Sequence, residues 1–181
     1  MRKLHHLADE KTIAKKLEEA RALYKYQDSL TNELDNHRAP FDENTLLKIV
    51  LWKINRYPEI ADGLLDKINE LRRNYSEALA EEILVLLLDS KGFDLPMAST
   101  VLSFACPEHC QIIDQRVYRF IYPDQHQFKI PYNKTEKIKL YFSYLQHLKE
   151  VCRQYGIPFN QADRLLYQLD KMENKDIKIK Y

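Results

Sequence analysis

Glycine is scarce in this sequence: three in 181 residues, at Gly63, Gly92 and Gly156. Only glycine takes φ > 0 without steric cost, so so few glycines mark places where backbone geometry demands one. With abundant Leu, Lys and Glu, the scarcity favours helices over sheet. Cysteine is equally sparse, three in all. An odd set with no export signal points to reduced thiols in a cytoplasm. Long apolar runs are missing. The longest aliphatic stretch, Ile83 to Leu88, is far too short to cross a bilayer, and the opening MRKLHHLADEK lacks the apolar core of a signal peptide. An excess of one charge is missing too, since 28 basic residues face 27 acidic ones for a net +1. That excludes the global electrostatic footprint of a dedicated nucleic-acid binder, so any DNA contact has to come from a local patch. No internal repeat or low-complexity linker shows. The expectation is a cytoplasmic protein without a membrane partner, built as one globular unit, 1–181, or as two lobes sharing a cleft.

What is present is helical periodicity. Ile13, Leu17, Ala20, Leu23, Tyr24 and Leu30 approximate a 3.6-residue stripe, predicting a helix from Ala8 to about Leu34 that stops before His37–Pro40. Asp42 or Asn44 caps a second helix. Its Leu46, Leu47, Ile49, Val50, Leu51 and Ile54 leave little polar face, so burial is expected. Pro58 breaks it and opens a helix over about Glu59–Arg73. Ser76 caps another, Glu77 to about Ser90, with Ile83–Leu88 as core. Thr135 caps a long helix ending at Tyr155, where Gly156 suits a left-handed C′ position. Asn160 and Asp163 suggest a capping box for a last helix carrying Leu165, Leu166 and Leu169. The tail, 173–181, alternates like a strand without a partner and is expected to fray. This predicts an all-α protein.

The stretch Asp89–Ile121, DSKGFDLPMASTVLSFACPEHCQIIDQRVYRFI, reads as helix, tight hairpin, helix, short loop, helix, with Asp114 at the mouth of the last. A hairpin between helices can aim successive backbone N–H groups at one phosphate, and Gly92 keeps that approach clear of side chains. The same residues also suit a plain structural turn. Asp94 would repel a phosphate unless it caps the following helix, with Pro96 near the first turn. Asp114, after Ile112-Ile113, is an ordinary N-cap by composition, and capping is compatible with a chemical role.

These residues resemble the signature of the helix-hairpin-helix DNA glycosylases, the base-excision enzymes related to endonuclease III. Gly92 stands at the first glycine of the family's G-x-G-x-x-T-A, Ala98 at its alanine, and Asp114, Val117 and Arg119 at its D-x-x-V-x-R, at the family's spacing. Asp94 replaces the second glycine, Met97 the threonine, and Pro96 stands where bifunctional members carry a nucleophilic lysine. The resemblance implies two helical lobes flanking a cleft. One covers about 42–111, with the hairpin at 89–98. The other combines about 1–38 with 114–172, and Asp114 lies on the cleft. It implies damaged double-stranded DNA as partner and Asp114 as the catalytic carboxylate, beside the cation that develops on deoxyribose. Lys91, Gly92, Phe93, Asp94 and Leu95 would form the phosphate clamp. Without an amine at Pro96 the enzyme would be monofunctional, using water. The family's four-cysteine iron–sulfur loop is absent, so neither cofactor nor metal is expected, and a monomer is favoured.

Auxiliary phosphate contacts would come from Arg116, from Lys53 and Arg56 three apart on one helix, and from a strip of Lys129, Lys134, Lys137 and Lys139. Lys53 and Arg56 read first as a surface ion-pair edge, with a phosphate-facing edge as the alternative. Cys106, His109 and Cys110 match no common zinc spacing and read as a turn with buried thiols. Tyr118, Tyr122, Tyr132, Tyr141 and Tyr144 are candidates to stack on an extruded base, or core residues at helical spacing. The alternative to an enzyme is a non-catalytic helix-hairpin-helix module binding DNA or protein.

Overall fold

Short polar side chains set where the helices begin. Asp42 accepts from Thr45 N–H (2.8 Å), Ser76 from Leu79 N–H (3.2 Å), Asp94 from Leu95 N–H (2.7 Å), Asp114 from Arg116 N–H (2.7 Å) and Asn133 from Glu136 N–H (3.3 Å). Each satisfies a backbone donor that the first helical turn leaves orphaned. The computed structural model describes residues 27–54, 58–122 and 128–174. There the helices are α1 (Asp28–Asp35), α2 (Glu43–Lys53), α3 (Leu64–Arg73), α4 (Glu77–Asp89), α5 (Leu95–Ala105), α6 (Gln115–Ile121), α7 (Lys134–Tyr155) and α8 (Ala162–Glu173), with a 3₁₀ turn at Phe159–Gln161 before α8. The described residues contain no strand, so the fold is all-α.

Several boundaries differ from the sequence reading. Of the helix expected from Ala8 to about Leu34, the part before Gln27 lies outside the described residues; Gln27 is left-handed (φ 46°), and α1 starts after it. The helix expected from Glu59 begins at Leu64 instead, after Gly63 turns left-handed (φ 73°), and Glu59 N–H donates to the carbonyl of Lys91 (3.0 Å). Asn133, not Thr135, caps α7. The capping box at Asn160 and Asp163 gives way to the 3₁₀ turn, and no side chain caps α8. Gly156 is left-handed as expected (φ 66°), and its N–H closes α7 on Cys152 O. The tail from residue 175 lies outside the described residues.

The chain packs as two units, Met1–Tyr57 and Pro58–Tyr181. In the first, α1 and α2 run antiparallel: Trp52 Nε1 donates to Thr31 Oγ1 (2.9 Å), and Lys48 pairs with Glu33. The burial expected for α2 is not found. Leu46, Leu47, Val50 and Ile54 are each more than half exposed, as is Phe41. A helix apolar nearly all round cannot choose one face, and among the described residues α1 meets α2 through Trp52 and Lys48.

The second unit holds one continuous hydrophobic cluster. It runs from Leu64 and Leu71 through Ile83, Leu84 and Leu87 of α4, Leu95, Ala98 and Leu102 of α5, and Val117 of α6. Tyr141, Tyr144, Leu145 and Leu148 of α7 and Leu166 of α8 complete it. The i, i+3, i+4, i+7 spacing of the α7 residues produces this seam. No helix among the described residues is long and apolar enough to cross a membrane.

Candidate active site

Asp114 is the N-cap of α6 and is half-buried. The four residues that lead to it are unusually well tied. Tyr141 Oη donates to Gln111 O (3.1 Å) and Tyr144 Oη to Ile112 O (2.8 Å), while Ile113 N–H donates to Ser99 Oγ (3.2 Å). The fully buried Gln111 side chain donates to Pro107 O and Cys110 O (both 2.8 Å) and accepts from Asp163 N–H (3.3 Å). Donors and acceptors from α5, α7 and α8 therefore fix a non-helical segment whose backbone groups would otherwise be buried unpaired. Burial first, and then the negative charges of Asp163 and Asp114, hold the Tyr144 hydroxyl well above the usual phenol range, so it stays protonated and donating.

A second polar cluster sits one turn along α6. Arg119 grips the buried Asp170 of α8 with a fork, Nε to Oδ1 at 2.7 Å and Nη2 to Oδ2 at 2.8 Å, and Arg116 Nη1 adds a third contact at 3.1 Å. Burial alone would raise the Asp170 pKa, but hydrogen bonds from Arg119, Asn174 and Arg116 outweigh it and hold the carboxyl low. The arginine of D-x-x-V-x-R thus anchors α6 to α8, and Arg116, expected as a phosphate contact, shares that anchor. Sequence reading missed Asp170. Its signal was an acid at the i+4 position from Leu166 on an apolar face, which calls for a buried cation partner. Asp163, on the same face, has its carboxyl pushed up by burial.

The hairpin between α4 and α5 is closed by its own groups. Phe93 N–H donates to Ser90 O (3.3 Å), and Leu95 N–H is taken by the Asp94 carboxylate, so Asp94 caps rather than opposes the helix start. Leu95 itself is core. Gly92 has φ 92°, and a Cβ there would lie 2.8 Å from Pro58 Cα. The glycine is explained by that close approach and its left-handed backbone. Every lysine around the hairpin has a carboxylate: Lys91 with Glu59 (3.1 Å), Lys134 with Asp89 (2.7 Å) and Lys137 with Asp94 (2.6 Å). Lys139 pairs with Glu136. Lys53 is exposed on α2 in the other unit, and Arg56 lies outside the described residues.

Three of the five tyrosines considered for base stacking are core: Tyr118, Tyr141 and Tyr144. Tyr122 stacks on His147 and Tyr132 is fully exposed. His109 stacks flat on Tyr75 at 3.9 Å, beside the buried Cys106 and Cys110. No three His, Cys, Asp or Glu side chains converge among the described residues. An open groove of about 550 Å³ runs past the end of α7, lined by Lys149, Cys152, Arg153, Ile157 and Phe159 with Glu108; Asp114 is not part of it. The chain matches no family model, no curated protein and no solved structure.

Proposed function

We propose that this chain is a DNA-repair glycosylase of the helix-hairpin-helix kind, hydrolysing a base–deoxyribose bond with Asp114 as its carboxylate. The observation that carries the reading is the setting of Asp114. It is a half-exposed acid at a helix start, on a segment that three side chains and one backbone N–H from neighbouring helices hold in place. Departure of a base leaves positive charge on the sugar, and a fixed carboxylate stabilises that charge and orients a water. The damaged base must first leave the duplex stack. Pro96, second in α5, carries no amine, so no Schiff base forms and the enzyme does not nick the strand.

The test is base release from a panel of damaged duplexes. Release is expected from at least one, with Asp114→Asn abolishing it. Asn caps a helix as well as Asp does, so the variant should keep its circular dichroism and melting temperature. Failure of every substrate, or full activity in Asp114→Asn, removes the enzyme reading. Covalent trapping by borohydride at abasic sites would contradict the water mechanism. A second reading, a helix-hairpin-helix module that binds DNA or protein without chemistry, is favoured by one observation: the Asp114 carboxylate is engaged as the cap of α6 and does not line the groove beside α7.

A further inference from the structure

We propose that the hairpin and the first turn of α7 form a phosphodiester-binding surface that the chain's own carboxylates occupy, so that DNA binds by displacing Asp89 and Asp94 from Lys134 and Lys137. The inference rests on the DNA reading above and adds the groups that set its affinity. Lys134 Nζ lies 2.7 Å from both oxygens of Asp89, and Lys137 Nζ lies 2.6 Å from Asp94 Oδ1. Lys134 and both carboxylates are exposed, and Lys137 is partly so.

Three of these four charges stand against the dipole of their own helix. Asp89 is the last residue of α4, where negative charge is disfavoured. Lys134 and Lys137 occupy the first turn or so of α7, where positive charge is disfavoured. Local helix stability therefore does not account for them; their compensation is one another. Docking of the hairpin on α7 does not require them either, because Leu87, Leu95 and Ala98 already share the core with Tyr141 and Leu145. Ion pairs this exposed are weak and screened by salt. A phosphodiester offers each lysine an equivalent anionic oxygen, so exchange of partners costs little. Glu59 neutralises Lys91 in the same way. The surface is thus electrically balanced until a strand replaces the acids, in keeping with a chain whose net charge is +1. Each carboxylate released then gathers its own counterions, which damps the salt dependence of binding.

The experiment is fluorescence anisotropy of a short labelled undamaged duplex with the full chain, across about 50 to about 200 mM NaCl. It compares wild type, D89N/D94N, K134Q/K137Q and the quadruple variant. Asn keeps the α5 cap, and melting temperatures verify folding. D89N/D94N is expected to tighten binding about tenfold and to steepen the salt slope by nearly two, one per lysine freed. The gain should vanish when both lysines are already Gln. If wild type binds with salt dependence and D89N/D94N changes neither affinity nor slope, the inference fails and the DNA reading stands. Equal tightening with and without the lysines means general repulsion and likewise overturns it. If neither wild type nor D89N/D94N binds, both fall.

Discussion

Asp170 has no exposed surface, yet its two oxygens receive Arg119, Arg116 and Asn174. Removing it would strand two guanidinium groups that are each about four-fifths covered. Asp170→Ala should therefore cost about 3 kcal/mol in urea unfolding. Because the folded carboxyl lies below its ordinary 3.8, this stabilisation is present above that value and is lost as pH falls through the folded pKa. Asp163 runs the other way. Burial raises its pKa above 3.8, so the native protein loses stability as pH rises from 3.8 through the raised value. Asp163→Asn, free of that titration, should gain on wild type across the same window. Melting temperatures at matched pH would check both signs, and a parallel trend for the two variants would contradict the assignment.

At the scale of the elements, the hairpin offers a clean comparison. Gly92 and Gly156 both have positive φ, but a Cβ at Gly156 meets nothing within 4 Å, whereas one at Gly92 would strike Pro58. Gly156→Ala should cost about 1 kcal/mol, the penalty of the left-handed backbone alone. Gly92→Ala should cost about 2 kcal/mol or more, since Pro58 must also move. On α2 the outcome should be opposite in kind. L46Q/V50Q changes two residues that are 54% and 55% exposed, so stability in urea unfolding should stay within about 0.5 kcal/mol of the natural protein. These elements also explain what could be read in advance. The caps at Ser76 and Asp114 were legible, and Asp42 and Asp94 were among the readings left open, because capping involves one side chain and an N–H within three residues. The start of α7 was not, since Asn133 and Thr135 are both competent caps. The solvated state of α2 was not either, because an apolar helix does not say what covers it. Tyr141 and Tyr144 were legible as core candidates at helical spacing. Their bonds to carbonyls some thirty residues earlier were not, for nothing local encodes a partner that distant.

For the whole molecule, the division at residue 57 has a direct consequence. The hydrophobic cluster from Leu64 to Leu166 lies entirely within Pro58–Tyr181 and includes every helix that fixes Asp114. A chain of residues 58–181 should fold on its own and unfold in one transition, with circular dichroism and tyrosine fluorescence coinciding; separated transitions would show that the first unit completes the core. One more property spans the whole chain. Its three thiols, Cys106, Cys110 and Cys152, are all buried, and burial pushes each above the ordinary thiol range, Cys110 to about 11. Thiolate, the reactive form, is thereby rare at neutral pH. A maleimide dye should therefore label the natural protein slowly at neutral pH. A cysteine introduced at exposed Lys53 and another at exposed Tyr132 can each take a fluorophore without any native residue first being removed.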